Sequence, residues 1–124
     1  MKLRNVVIVV NDVEASEAFY HDVFGLTAVL RQEGNVILTE GLVLQDRKVW
    51  EQATGRTVVQ KNNAMELYFE TKDREEFAGR LKNYADRIEF VGQPLICSEK
   101  EEIDREVVRF YDMDGNLIEV RFLR

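Results

Sequence analysis

The sequence is poor in cysteine and histidine, with one of each among 124 residues. With a single thiol, Cys97, the chain cannot close an internal disulfide, which fits a reducing compartment and predicts a cytoplasmic protein. With a single imidazole, His21, one chain cannot supply a three-histidine zinc site or a two-histidine iron site. We interpret Cys97 as a small buried side chain and His21 as a solvated residue on a helix.

Long apolar runs and an excess of positive charge are also missing. The longest apolar run, Val6–Val10, is far too short to span a bilayer or to act as a signal sequence. The net charge of −6 argues against nucleic acid, because binding to phosphates needs a basic field. We therefore expect neither a membrane nor a nucleic-acid partner, and an acidic surface mildly favours cationic ligands.

What the sequence does contain is one order of elements used twice. The apolar patterns predict strand, helix and three strands in each half. In the first half, Asn11 is the expected N-cap of the helix and Gly25 its C-terminal residue. In the second half, Asp73 is the expected N-cap. The predicted strands are residues 3–10, 26–32, 36–39 and 42–45, then 65–71, the extended segment 88–97 and the hairpin 107–123.

The repeat is also visible in the residues themselves. NVVIVVNDVEASEAF, from Asn5, lies against ELYFETKDREEF, from Glu66, at an offset of 61 positions. We predict a single domain with module one at about 1–47, a polar and irregular linker at about 48–64, and module two at about 65–124. An α+β fold follows, in which two tandem βαβββ modules form a curved, cup-shaped mixed sheet with the helices on the outside.

A carboxylate in the middle of a predicted strand, Glu119, marks the last hairpin as the place where function should show, since acidic residues are depleted in strands. The two-residue period puts Glu119 and Arg121 on one face of the sheet. The same period puts Glu66, Tyr68 and Glu70 on one face of the strand that opens module two.

The repeat supplies counterparts for these positions. Asn5 and Glu66 are equivalent, and aligning GLVL at 41–44 with NLIE at 116–119 puts Leu44 opposite Glu119. If the faces all line the concave side, Asn5, Glu66 and Glu119 converge there, with Leu44 as a fourth corner.

Three stretches of the chain carry a family pattern: LRNVVIVVNDVEASEAFYHDVFGL, ELYFETKDREEFAGRL and VVRFYDMDGNLIEV. In these the chain resembles the glyoxalase / bleomycin-resistance / dioxygenase superfamily, the vicinal oxygen chelate proteins. The resemblance implies paired modules, a cupped sheet, a homodimer and often one divalent metal held by His, Glu or Gln. This sequence departs from that pattern, because Asn5 and Glu66 stand where His is common and Leu44 cannot bind a metal. Only Glu119 is a usual ligand.

Two functions therefore stay open. In the first, Glu66 and Glu119 are catalytic and, with Asn5, bind a divalent metal (Mn, Mg, Ca, Ni or Zn) in a lyase, isomerase or transferase; oxygen ligands favour the first three metals. In the second, the cup binds a small molecule without metal. Its predicted lining is Asn5, Trp50, Tyr68, Glu70, Phe110, Tyr111 and Arg121.

A scaffold or regulatory role based on dimerisation, and a structural role for the two acids, are the remaining alternatives. Glu66 and Glu119 would then simply pair with Arg121, Arg109 or Lys61, because a buried carboxylate needs such a partner.

Overall fold

A computed structural model describes residues 1–95 and 105–124 of the chain. They divide into two compact units, Met1–Val59 and Gln60–Arg124. The predictions for Cys97, and for the end of the extended segment 88–97, lie outside the described residues. In the described part of the chain, every helix is too short or too polar to cross a membrane.

The first module is a four-stranded mixed sheet with two helices. Its elements are β1 (Val6–Val10), α1 (Val13–Phe24), β2 (Ala28–Gln32), β3 (Asn35–Leu38), β4 (Leu42–Asp46) and α2 (Arg47–Thr54). The strand order is β1-β4-β3-β2, with β1 and β4 parallel and the other pairs antiparallel.

The second module repeats this topology, with one helix among its described residues. Its elements are β5 (Leu67–Thr71), α3 (Arg74–Lys82), β6 (Glu89–Val91), β7 (Val107–Tyr111) and β8 (Leu117–Phe122). The order is β5-β8-β7-β6, and β5 is parallel to β8 as β1 is to β4. The predicted α+β fold with two tandem βαβββ modules is thereby confirmed.

The helix caps also repeat. The Asp12 carboxylate accepts a hydrogen bond from the backbone N–H of Ala15 at 3.1 Å, and Asp73 accepts one from Glu76 at 2.9 Å. The prediction of Asp73 is confirmed, whereas that of Asn11 is wrong by one residue. Each aspartate satisfies an N–H group that the first turn of a helix leaves unpaired.

Each sheet has one face that packs on a helix, which we call its core face. In the second module, Phe77 of α3 packs against Phe110 and Phe122, with ring centroids 6.5 and 6.0 Å apart. In the first module, Ile8, Val36 and Leu44 share a face through the strand register and are all buried. Alternate strand positions therefore form the apolar layer against the helix in each unit.

The segment predicted as an irregular linker contains helix α2. Asp46 caps it by accepting hydrogen bonds from Lys48 N at 2.8 Å and Val49 N at 3.2 Å. A methyl group at Gly34 would lie 2.7 Å from Val49 Cγ2, so α2 packs directly on the β2–β3 turn. The prediction of an irregular segment is wrong for residues 48–54, because this short helix is stabilised by its cap and by the contact of Val49 with the β2–β3 turn.

Candidate functional site

The face of the second sheet opposite α3 carries most of the predicted site residues. The register places Tyr68 and Arg109 beside Glu119, on either side of it, and Glu70 beside Arg121. We call this surface the polar face. It comprises Glu66, Tyr68, Glu70, Arg109, Tyr111, Glu119 and Arg121.

Glu119 is the buried residue of the polar face, with 5% of its surface exposed. Its carboxylate forms an ion pair with Nη2 of Arg109, which lies directly opposite on β7. The Arg109 Nε also lies 3.8 Å from Oε2 of Glu66. One guanidinium therefore lies near both carboxylates. The buried charge of Glu119 is thereby paired, which offsets the cost of burying it.

Tyr68 and Glu70 form a second polar pair on this face. The Tyr68 hydroxyl donates a hydrogen bond to Glu70 Oε2 at 2.9 Å. Desolvation, and next this hydrogen bond, raise the pKa of Tyr68 above its ordinary value, while nearby Arg121 acts in the opposite direction. About half of the Tyr68 surface is exposed, so the ring is available to a ligand while its hydroxyl is held in place.

Two other predicted residues of the second module have structural contacts. Phe110 is fully buried on the core face, with its ring centroid 6.0 Å from that of Phe90. Its prediction as a lining residue is therefore corrected, because alternation along β7 turns it towards α3. The Tyr111 hydroxyl donates to Oδ1 of Asn63, and Lys61 lies over the Tyr111 ring at 5.3 Å from the centroid.

Asn5 and Trp50 belong to the first module. Asn5 is exposed just before β1, and Trp50 is half-buried on α2. Val6 pairs with Leu42 as Leu67 pairs with Ile118. Asn5 is therefore the structural equivalent of Glu66, as predicted.

The same register corrects the predicted counterpart of Glu119. Counting along each strand from Leu42 and Ile118 puts Val43 at the position of Glu119. Leu44 corresponds to Val120, and both are buried on the core faces. An alignment shifted by one residue moves a strand residue to the opposite face, so Leu44 is not a corner of the site.

Arg109 was considered only as one of three partners for the acids, and its central position was missed. The signal was nevertheless present. Counting outward through the hairpin from the pair Tyr111 and Leu117 puts Arg109 directly opposite Glu119. Opposite charges at facing positions of antiparallel strands stabilise the pairing.

The residues of the polar face do not fit a divalent metal in their present arrangement. Among the described residues, no group of three or more His, Cys, Asp and Glu side chains could hold an ion. The two carboxylates that do converge, Glu66 and Glu119, converge on a guanidinium. A metal at these oxygens would first have to displace Arg109.

Two βαβββ modules, each with one parallel outer pair, define the class of protein. Residues 3–121 match the family model of the glyoxalase-like domain, and the chain belongs to this family. The predicted superfamily is thereby confirmed. A search of curated proteins gives no match.

Solved structures agree with this assignment. A protein of unknown function from Agrobacterium tumefaciens is 28% identical, with a TM-score of 0.72 over 100% of this chain and 95% of the other. A glyoxalase/bleomycin resistance protein/dioxygenase family enzyme from Burkholderia phytofirmans is 18% identical, with a TM-score of 0.67 over 98% of each chain.

A third structure contains a metal. It is a mutant of the fosfomycin resistance protein FosX from Listeria monocytogenes, complexed with Mn(II) and 1S,2S-dihydroxypropylphosphonic acid. It is 16% identical, with a TM-score of 0.65 over 97% of this chain and 88% of the other. At this identity the likeness concerns the fold.

Proposed function

We propose that this protein binds a small organic molecule at the polar face without the help of a metal. The observation that carries the proposal is the ion pair between Arg109 and the buried Glu119. A carboxylate already neutralised by a protein cation has no need of a metal, and Tyr68 beside it offers an exposed aromatic surface. We infer a cationic or aromatic ligand, since three carboxylates share this face with two guanidinium groups.

The expected location and oligomeric state come from the single cysteine and from the family resemblance. We infer a cytoplasmic homodimer. Chromatography at micromolar concentration tests the dimer, and a monomeric protein would contradict it.

The proposal is tested by a thermal-shift screen of cationic and aromatic small molecules, run with and without a chelator. A true ligand should raise the melting temperature equally in both conditions, because it binds the folded state alone. Loss of the shift in the presence of chelator would contradict the proposal.

Variants at Tyr68 locate the binding site. Tyr68→Ala should weaken binding roughly tenfold or more through the loss of one aromatic contact of about 1.4 kcal/mol. Tyr68→Phe should retain most of the affinity, and Val29→Ala, at an exposed position of the first module, serves as the matched control. Equal affinity in Tyr68→Ala and Val29→Ala would remove the polar face from the site.

The alternative is a divalent-metal-dependent lyase, isomerase or transferase that uses Glu66 and Glu119. The Mn(II) bound by FosX is the observation in its favour. Metal content after purification without chelator, with a melting-temperature screen against Mn²⁺, Mg²⁺, Ca²⁺, Ni²⁺ and Zn²⁺, separates the two functions. A stoichiometric metal that is lost in Glu119→Gln and in Glu66→Gln would establish the alternative.

A further inference from the structure

One guanidinium lies where the two carboxylates of the polar face converge. The side chain of Glu119 is 7% exposed and that of Glu66 is 37% exposed, while Arg109 is 46% exposed. Arg109 thus extends from a buried carboxylate to one at the surface. A cation that bridged the carboxylates of Glu66 and Glu119 would lie where the Arg109 guanidinium lies.

The fold determines this arrangement. Arg109 and Glu119 are directly opposite on antiparallel strands, so their Cβ atoms start about 5 Å apart. Glu66 immediately precedes β5, which is the other neighbour of β8. Arg109 and Glu119 therefore project from adjacent strands on one face, and Glu66 lies next to them at the residue before β5.

The charge of Arg109 makes it a lasting competitor for metals. A guanidinium remains protonated at every pH at which a protein is folded, and its planar fork fits carboxylate oxygens. A divalent ion at the same oxygens would have to displace it and then bear the repulsion of the freed positive charge. Arg109 therefore competes with any divalent ion for the oxygens of Glu66 and Glu119.

We propose that Arg109 is an internal counter-cation occupying a two-carboxylate cation site formed by Glu66 and Glu119, and that removing its charge opens this site to a divalent ion such as Mn²⁺. The inference deepens the proposed function and rests on its independence of metal. Its test uses Mn²⁺ alone and requires no organic ligand.

The experiment compares the wild type with Arg109→Met, which keeps an unbranched apolar stem and loses the charge. Mn²⁺ binding is read from the loss of the electron paramagnetic resonance signal of the free ion. We expect no specific binding by the wild type and up to one Mn²⁺ per chain in Arg109→Met. The dissociation constant should be roughly 10⁻⁴ to 10⁻³ M, as in weak sites with oxygen ligands.

Two further variants assign the effect to the proposed residues. Arg121→Met removes the other guanidinium of the polar face, which is similarly exposed at 41% and pairs with Glu106 at 4.0 Å. It should bind no Mn²⁺. The double variant Arg109→Met with Glu119→Gln should lose the binding that Arg109→Met gains.

The same variants also test the inference if Arg109→Met does not fold. In that case the double variant should fold without metal, and Mn²⁺ should restore the folding of Arg109→Met alone. A folded Arg109→Met that binds no Mn²⁺, or an unfolded one that Mn²⁺ does not rescue, overturns the inference and leaves the proposed function standing. Binding by the wild type that is lost in Glu119→Gln overturns both.

Discussion

The two modules share a topology and differ in the chemistry of one face. Val7, Ile37 and Val43 of the first module correspond by register to Tyr68, Arg109 and Glu119 of the second. The first trio is aliphatic and the second is polar. The core faces show no such contrast, because Leu44 and Val120 are both buried and apolar.

This difference separates what the fold requires from what it leaves free. A βαβββ module needs apolar residues at the alternate positions that pack on its helix, and both modules have them. The opposite face does not pack on the helix of its module, so its side chains can differ between the modules while the topology stays the same. The polar trio of the second module is therefore a feature that the shared topology does not require.

The largest effect is expected when the first module receives a counterpart of Glu119 without a counterpart of Arg109. Val43 is 4% exposed, so Val43→Glu should lower the free energy of unfolding by about 3–5 kcal/mol at neutral pH, the cost of a buried charge without a counter-ion. Because burial raises the carboxyl pKa in the folded state, the loss should be smallest below about pH 4.3 and grow as pH rises. Urea denaturation at several pH values measures it.

Ile37→Arg supplies the missing partner, since Ile37 faces Val43 as Arg109 faces Glu119. The double variant Ile37→Arg with Val43→Glu should recover at least about 1 kcal/mol of the lost stability. No recovery would show that the two strand pairs are not equivalent.

A core-face change should affect stability without regard to charge. Leu44 is fully buried, so Leu44→Ala should cost about 3 kcal/mol through lost burial and the cavity left behind. The loss should be the same at pH 5 and pH 8, unlike that of Val43→Glu. A cost below about 1 kcal/mol would place Leu44 outside the core, contrary to the register.

The third test removes the cation of the second module. Arg109→Met leaves Glu119 buried and unpaired, but Arg109 is nearly half exposed, so solvent screens part of the effect. We expect a loss of about 1–3 kcal/mol in the presence of chelator. Adding Glu119→Gln should restore part of it, and denaturation of the four members of this double-mutant cycle gives the coupling energy.

Much of the fold could be predicted from the sequence because it rests on local patterns. Apolar patterns located the strands and the last hairpin. The offset of 61 positions located the duplication and the equivalence of Asn5 with Glu66. The same offset aligns Asp12 with Asp73, so the repeat itself contained the correct N-cap that local reasoning assigned to Asn11.

The missed features depend on register and tertiary contact. A gap placed one residue off aligned Leu44, not Val43, with Glu119, and the two-residue period turned this small error into the opposite face. Helix α2 was missed because it is only eight residues long and most of them are polar. Phenylalanine favours a strand whichever face of the sheet it points to, so the sequence alone does not show the face of Phe110. Its contact with Phe77 shows that it lies on the core face.

A smaller effect distinguishes Tyr68 from its aliphatic counterpart Val7. Glu70→Gln should lower the pKa of Tyr68 towards its ordinary value of about 10 without reaching it, because desolvation remains the first cause of the shift. NMR titration of labelled tyrosine rings, with Tyr68→Phe for assignment, measures this. Since the folded-state pKa is raised, the associated stability is present below about pH 10 and is lost as pH rises above it.

The smallest effect is expected for an ion pair of the first module that lies away from the counterparts of the polar face. Arg31 Nε and Nη2 donate to Glu17 at 2.9 and 2.8 Å, and the Arg31 hydrogen bond holds the pKa of Glu17 below its ordinary value. Because this pair is exposed to solvent, Arg31→Met should leave the urea midpoint at pH 7 unchanged within error. Any contribution is present above the ordinary glutamate pKa of about 4.3 and is lost as pH falls through the lower folded-state value. A loss of stability as large as that of Arg109→Met would mean that lying on the polar face does not determine how much an ion pair stabilises the protein. The two modules would then differ in the residues of this face but not in the energies of their ion pairs.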